Sequence, residues 1–414
     1  MLDGTKGQIS RRKFLQYAGG GIVGLTIGGA LSRGAFGAQL SSSIKIGGVF
    51  PLTGAVAREG REVKDGAELA RDLINGEGGI AGEVQIELAF EDSKCNPDEG
   101  ARVARRLIDA DFVMGDFCSS AALAEQPIFA AAGIPQIVFA FATTLTGEAR
   151  RQANAVRSVR LGPQAKTEMA PLAKYAASVN GDKRFFAIGQ NTDFGRSMVE
   201  EFEKVLNQLG GEIIQKEFTT PFKSDFTPEL TKVKASEAEA LLAIGLAFEE
   251  INLANQYREL DLTQTFYGSD LLNDVSFKSA VAEAGKADGF FFPWVFDNGT
   301  NLRTFPRVEP EPGAKAMNNA FIGRRGRPAT RNNGWGWGSV QLVKQAIEAA
   351  NSVNARTVTN HILSGAKFDL PYGTYGFLPC GQADMRTGVA TYSQAQVILV
   401  ADRSFGDDVV TDLC

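Results

Sequence analysis

Residues 112–123 read Phe112-Val-Met-Gly-Asp-Phe-Cys-Ser-Ser-Ala-Ala-Leu123. An apolar run ends in a glycine. A cysteine and two adjacent serines follow, and a helical pattern predicted for 121–132 then begins. A strand that ends in hydroxyls just where a helix starts is the switch of an open α/β sheet.

The same alternation runs outward in both directions. Ile44-Lys-Ile-Gly-Gly-Val-Phe50 reads as a buried strand. Val63, Ala67, Ala70 and Ile74 then fall three or four apart, as on one helical face. Val84, Ile86, Leu88 and Phe90 alternate as in a strand, and Ala101, Ala104, Leu107 and Ile108 mark the next helix. Gln136-Ile-Val-Phe-Ala140 is the fourth strand. The order βαβαβαβ implies a mostly parallel sheet covered by helices on both faces. The rhythm restarts near Gly162. Helices are predicted over 165–179, 194–209, 226–235 and 249–260, and strands over 184–189, 212–218, 240–245 and 265–267. A third block, 288–375, holds one strand at 289–293, a polar Gly/Pro-rich excursion at 297–333 and a long helix at 336–350. It is too small to stand alone and is assigned mainly to the first lobe.

The expected fold is therefore α/β, with two Rossmann-like lobes of parallel sheet joined by a hinge that the chain crosses several times. The N-terminal lobe is expected to comprise 43–161 plus 290–375, and the C-terminal lobe 162–289 plus 376–414. At 414 residues the chain is long enough for both.

The first 38 residues read differently. Ser10-Arg-Arg-Lys-Phe-Leu15 precedes an uncharged apolar run from Ala18 to Leu31, and Arg33-Gly-Ala-Phe-Gly-Ala38 follows. This is the pattern of a twin-arginine export signal, with cleavage after residue 37 or 38 and a periplasmic destination. The run is short for a bilayer span, and no cysteine near the cut suggests a lipid anchor. The spaced glycines Gly19-Gly-Gly-Ile-Val-Gly24 are not a dinucleotide loop, because no strand precedes them.

The net charge is −5, with both signs interspersed, which argues against a nucleic-acid binder. Without residues 1–37, which carry five Lys/Arg and one Asp, the charge is −9. The single histidine, His361, argues against a Ser-His-Asp triad or a multi-histidine metal site; it reads as a surface or packing residue. No cofactor is expected. The four cysteines, Cys95, Cys118, Cys380 and Cys414, all lie beyond the signal, and their even number in an oxidising compartment suggests two disulfides rather than buried thiols. Of three possible pairings, Cys95–Cys118 with Cys380–Cys414 is the one expected.

Ligands of open α/β sheets sit beyond the carboxyl ends of the strands. There the first N–H groups of a helix lack partners and its dipole favours an anion. Ser119, Ser120 and nearby backbone thus read as a carboxylate cradle, against the alternative that one serine simply caps the helix. Phe139-Ala-Phe-Ala-Thr-Thr144 places small residues and hydroxyls at the next strand end, where carbonyl groups could accept from an ammonium. Arg324-Arg-Gly-Arg327 reads as part of a solvated segment covering the sheet rather than as an anion-docking patch.

These segments resemble the leucine/isoleucine/valine-binding family of periplasmic ABC-transporter receptors. The resemblance is carried, over about 43–375, by Ile44-Lys-Ile-Gly-Gly-Val-Phe-Pro-Leu-Thr-Gly54, Asn75-Gly-Glu-Gly-Gly-Ile-Ala-Gly82, Glu91-Asp-Ser-Lys-Cys-Asn-Pro97, Phe117-Cys-Ser-Ser120, Asp193-Phe-Gly195 and Tyr267-Gly-Ser-Asp270. It implies a Cys95–Cys118 bridge. It implies that Ser119 and Thr143 hold an α-carboxylate, and that the carbonyl of Ala140 or Phe141, with Asp270, holds an α-ammonium. Ala142 belongs to the same run. Phe194 would close over the ligand. Glu59 and Leu246 stand where the family often has aromatic residues, so the ligand's side chain is the part the resemblance specifies least.

The function this implies is a receptor that performs no chemistry. It would deliver an aliphatic or other apolar amino acid to a membrane permease driven by separate ATPase subunits. An amide, urea or small carboxylate is the alternative ligand. A ligand-sensing regulator of the same fold is the rival from another class. A serine hydrolase is disfavoured by the missing histidine partner and the lack of a G-x-S-x-G elbow. The receptor is expected to be a monomer.

Overall fold

The computed structural model describes residues 43–295, 311–410 and 413–414. The twin-arginine segment, its cleavage site and part of the excursion expected at 297–333 lie outside these residues.

Two sheets organise the chain. The first has five strands: β1 (Ser43–Phe50), β2 (Gln85–Asp92), β3 (Phe112–Gly115), β4 (Gln136–Val138) and β5 (Val159–Arg160), in the order β2-β1-β3-β4-β5 and all parallel. The second begins with β6 (Arg184–Gln190), β7 (Glu212–Thr219), β8 (Ala240–Ile244), β9 (Thr265–Gly268) and β10 (Phe291–Trp294), again parallel. It is completed by an antiparallel hairpin, β13 (Gly388–Ser393) and β14 (Gln396–Ala401), on the β10 edge. A small ribbon, β11 (Lys367–Leu370) with β12 (Gly373–Gly376), stands apart. The α/β two-lobed architecture is the expected one.

One placement needs correction. The strand expected at 289–293 and assigned to the first lobe pairs with β9 and β13 in the second sheet. Its sequence, Phe291-Phe-Pro-Trp294, is apolar on both faces, so composition could not say which sheet it would join. The pairing partners decide it: Phe291 lies opposite Tyr267, and Phe292 opposite Ala390. The hairpin β13–β14 was not anticipated either. It closes an edge that a parallel sheet would otherwise leave open.

In each sheet the strand order reverses once in a way that opens a crevice. In the first sheet β1 is flanked by β2 on one side and β3 on the other; in the second, β6 is flanked by β7 and β8. Helices that leave β3, β6 and β8 therefore start beside these crevices. They are Ser119–Ala132, Asp193–Gln208 and Ala247–Glu259.

The first lobe is braced by two long helices, Ala57–Gly76 and Arg331–Ala350. They meet through glycines. A Cβ on Gly336 would lie 1.9 Å from the Val63 carbonyl oxygen, and one on Gly66 would lie 2.0 Å from that of Asn333. Only a missing side chain allows backbones this close. Trp335 on the same helix is fully buried and packs against Phe139 and Tyr372, with ring centroids 6.1 and 4.1 Å apart. The basic run near 324–327 stays at the surface, as expected, where Arg325 and Arg327 both pair with Asp65, at 2.8 and 2.7 Å. His361 packs edge-on against Phe368.

Gly336→Ala should destabilise the protein by about 1–3 kcal/mol, the usual cost of overpacking a core. Urea unfolding would read this as a lower midpoint with an unchanged slope, and an unshifted midpoint would show that the helices can separate freely.

Candidate functional site

The helix Ser119–Ala132 begins at Ser119, two residues earlier than expected, with Cys118 as its cap residue. No side chain caps this end. Its first N–H groups and its dipole thus face whatever lies beyond β3. Three features hold the end in place. Cys118 is bridged to Cys95, and the second bridge joins Cys380 to Cys414, both as expected. Asp116, fully buried, accepts the Cys118 N–H at 2.7 Å. The Ser119 hydroxyl, only 3% exposed, accepts the Ala142 N–H at 3.1 Å and keeps its own proton to donate.

A cleft opens at this point. From the first lobe it is lined by the Cys95–Cys118 bridge, Phe117, Ser119, Ser120 and Phe141. From the second it is lined by Gln190, Thr192, Phe194, Leu246 and Leu271. With the open solvent at its mouth included, the space between these residues is about 440 Å³. The walls are mostly apolar, with hydroxyls and one amide as the polar groups. Gln190 is oriented from behind: its amide nitrogen donates to Glu249 at 2.8 and 3.0 Å, and its oxygen accepts from Thr192 at 2.8 Å. Such a lining suits a small ligand with an apolar body and one anionic head.

The structure brings Ser119, Ser120, Phe141, Phe194 and Leu246 together here. It places the other named residues elsewhere. Ala140 and Ala142 are fully buried in a small cluster with Ala122, Val138 and Leu145. Thr143 starts the short helical turn Thr143–Leu145 and does not line the cleft. Glu59 is buried and accepts from Arg58 at 2.7 Å.

Of the groups expected to hold an ammonium, the carbonyl of Ala140 or Phe141 with Asp270, the Phe141 carbonyl and Asp270 already have partners. The Phe141 carbonyl accepts from the Ala165 N–H at 2.9 Å and from Arg160 at 3.2 Å, which fills both lone pairs. Arg160 also holds the Ala142 carbonyl. Asp270 is 2% exposed and is ion-paired with Arg331, itself 5% exposed. Sequence reasoning missed Arg331 because it lies 61 residues away, on a helix of the other lobe. It also missed Gln190 and Thr192, whose only local signal is a polar pair at the end of a strand.

Polar links join the lobes across the cleft. Ser120 donates to Asp193 at 2.6 Å. Arg58 pairs with Asp274, which also accepts from Asn332 at 3.0 Å. Arg331 pairs with Asp270. Around them sit further buried acids. Burial pushes Glu250 up to about 8 even though Ser269 donates to it. Burial, reinforced by the Asp270 charge, raises Glu168 well above the carboxylate range. Under the serine helix, burial lifts Asp116 to about 6, and burial with the Asp116 charge raises Glu125 further.

The residues 43–397 match the family model described as periplasmic binding protein. The Leu/Ile/Val-binding protein BraC3 of Rhizobium johnstonii is 29% identical over 348 residues, covering 83% of this chain and 90% of that one. A leucine-, isoleucine-, valine-, threonine-, and alanine-binding protein of Pseudomonas aeruginosa is 24% identical, covering 81% and 86%. Among solved structures, the leucine binding protein LivK of Thermotoga maritima superposes with a TM-score of 0.75 at 21% identity, covering 86% of this chain and 98% of that one. A solute binding protein of R. palustris in complex with benzoate gives 0.76 at 19% identity, covering 87% and 96%. At these identities the structures speak for the fold alone.

Stability should fall as pH rises between about 5.5 and 8. Asp116, Glu125, Glu168 and Glu250 all have folded-state values above their unfolded ones, so the folded chain binds more protons in this window and loses that advantage as they ionise. Carboxylates shifted down, such as Asp92 and Glu99, act only at lower pH. Thermal midpoints at pH 5.5 and 8 should differ in this direction, and Glu250→Gln should flatten the slope; a midpoint that rises toward pH 8 would contradict the assignment.

Proposed function

Because the chain belongs to the periplasmic binding protein family, we propose that it is an exported receptor that hands a small carboxylate-bearing ligand to an ABC importer. The family is one of binding proteins, and no reaction on the ligand is part of this reading. The carrying observation is the uncapped amino end of helix Ser119–Ala132, with both serine hydroxyls, lining a cleft whose other walls are largely apolar.

The relatives named for leucine, isoleucine and valine and the neighbour holding benzoate share a chemistry: a carboxylate attached to an apolar body. The Ser119 hydroxyl and the free N–H groups of its helix would take the carboxylate. Phe117, Phe141, Phe194, Leu246 and Leu271 would enclose the remainder. Amino acids remain within this class, and so do small organic acids.

Transport follows from the two lobes. The N-terminal lobe is taken as 43–161 with the helices and ribbon of 311–376, and the C-terminal lobe as 162–295 with the chain from 388 onward, following the sheets each segment joins. A ligand that touches both walls stabilises the closed arrangement over an open one, and only that difference in contacts can shift the equilibrium. The closed receptor would dock on a permease served by separate ATPase subunits. Residues 1–38 would direct export by the twin-arginine route, and the receptor would act as a monomer.

Isothermal titration with a panel of amino acids and short organic acids should find a carboxylate ligand. Ser119→Ala should weaken it by roughly tenfold to a hundredfold, the loss of one charge-assisted hydrogen bond. Binding of an uncharged solute that is indifferent to Ser119→Ala would remove the carboxylate cradle from the reading.

A further inference from the structure

We propose that the cleft selects carboxylates that carry no α-ammonium, because Arg331 occupies the acid that would otherwise receive one. The inference rests on the carboxylate reading above and narrows its ligand class.

An ammonium brought out of water needs acceptors, and leaving it without them costs far more than a single hydrogen bond returns. The buried acceptors of the expected subsite at Phe141 and Asp270, and their neighbours at Ala142 and Glu249, already have partners. Asp270 is the residue next to Leu271, which lines the cleft, yet its carboxylate is buried against Arg331. The Phe141 carbonyl already accepts from two donors. The Ala142 carbonyl is held by Arg160. Glu249, behind Gln190, binds the Gln190 amide and the N–H groups of Phe222 and Leu246 at 2.8 Å. Asp193, at the rim, is exposed to solvent and accepts the Ser120 hydroxyl.

The cationic side is equally placed. The Arg331 guanidinium carbon lies 5.9 Å from the ring of Phe141 and 5.7 Å from that of Trp335, so it sits directly behind an aromatic wall of the cleft. Its Nε is buried and has no hydrogen-bond partner among the described residues. Pairing leaves Asp270 and Arg331 together with no net charge, so neither offers an ammonium in the cleft a counter-charge. A carboxylate head meets no such obstacle.

The test uses ligand pairs that differ only in the ammonium group: leucine against 4-methylpentanoate, and phenylalanine against 3-phenylpropanoate, titrated into the purified protein. The acid without the amine should bind at least about tenfold more tightly in the better-fitting pair. An amino acid that binds as well as or better than its deaminated partner overturns the inference while leaving the carboxylate reading intact. Failure of every acid and every amino acid removes both. Arg331→Met should shift the ratio toward leucine by a further factor of about ten by freeing Asp270, and Asp270→Asn/Arg331→Met should restore the unaltered order. Should Arg331→Met fail to fold, the paired titrations on the unaltered protein decide the matter alone.

Discussion

The site depends on one constraint: a helix whose amino end has no side-chain cap must be held still at a cleft. Helix Ser119–Ala132 meets it with supports on three sides. The Cys95–Cys118 bridge anchors the residue before the first turn. Asp116 takes the Cys118 N–H from below. Ala142, fastened through its own carbonyl to Arg160, bonds the Ser119 hydroxyl from the neighbouring strand end. Preorganisation of this kind reduces the ordering cost that a ligand must overcome.

The second theme is buried charge. Arg160 lies fully buried with no carboxylate among its hydrogen-bond partners, and desolvation pulls it down to about 9. It bonds two carbonyls in succession and so shapes the wall formed by Phe141. Across the cleft, Arg58–Asp274 and Arg331–Asp270 each join a first-lobe helix to the segment after β9. A pair that is buried, as Arg331–Asp270 is, or half-buried, as Arg58–Asp274 is, contributes little net stability, because desolvation offsets the attraction. Its value here is directional. Each pair is satisfied only when the lobes are in this relation, so the pairs specify this relation more than they strengthen the fold.

Much of the architecture was legible from local pattern. Apolar runs with helical spacing after them gave away four strands of each sheet, and the hydroxyl pair at Ser119 and Ser120 marked the strand end that lines the cleft. Phe194 and Leu246 were found through resemblance and do line it. Asp270 and Ala142 were given roles from their place in the chain, while their surroundings are set by distant segments. Arg331 reaches Asp270 from the other lobe, and Arg160 reaches the 141–142 carbonyls from the next strand.

The sequence alone determined the alternation of strands and helices, the two-lobed class and the helix start at which an anion can be held. These follow from periodicity and from the unpaired N–H groups of any helix end, which are local properties. Only the tertiary structure decided that β10 joins the second sheet, that the Phe141 carbonyl is already filled and that Asp270 faces a guanidinium. Each of these depends on which groups meet across long separations in the chain, and a charge or a lone pair is free or taken only according to what lies opposite it in space.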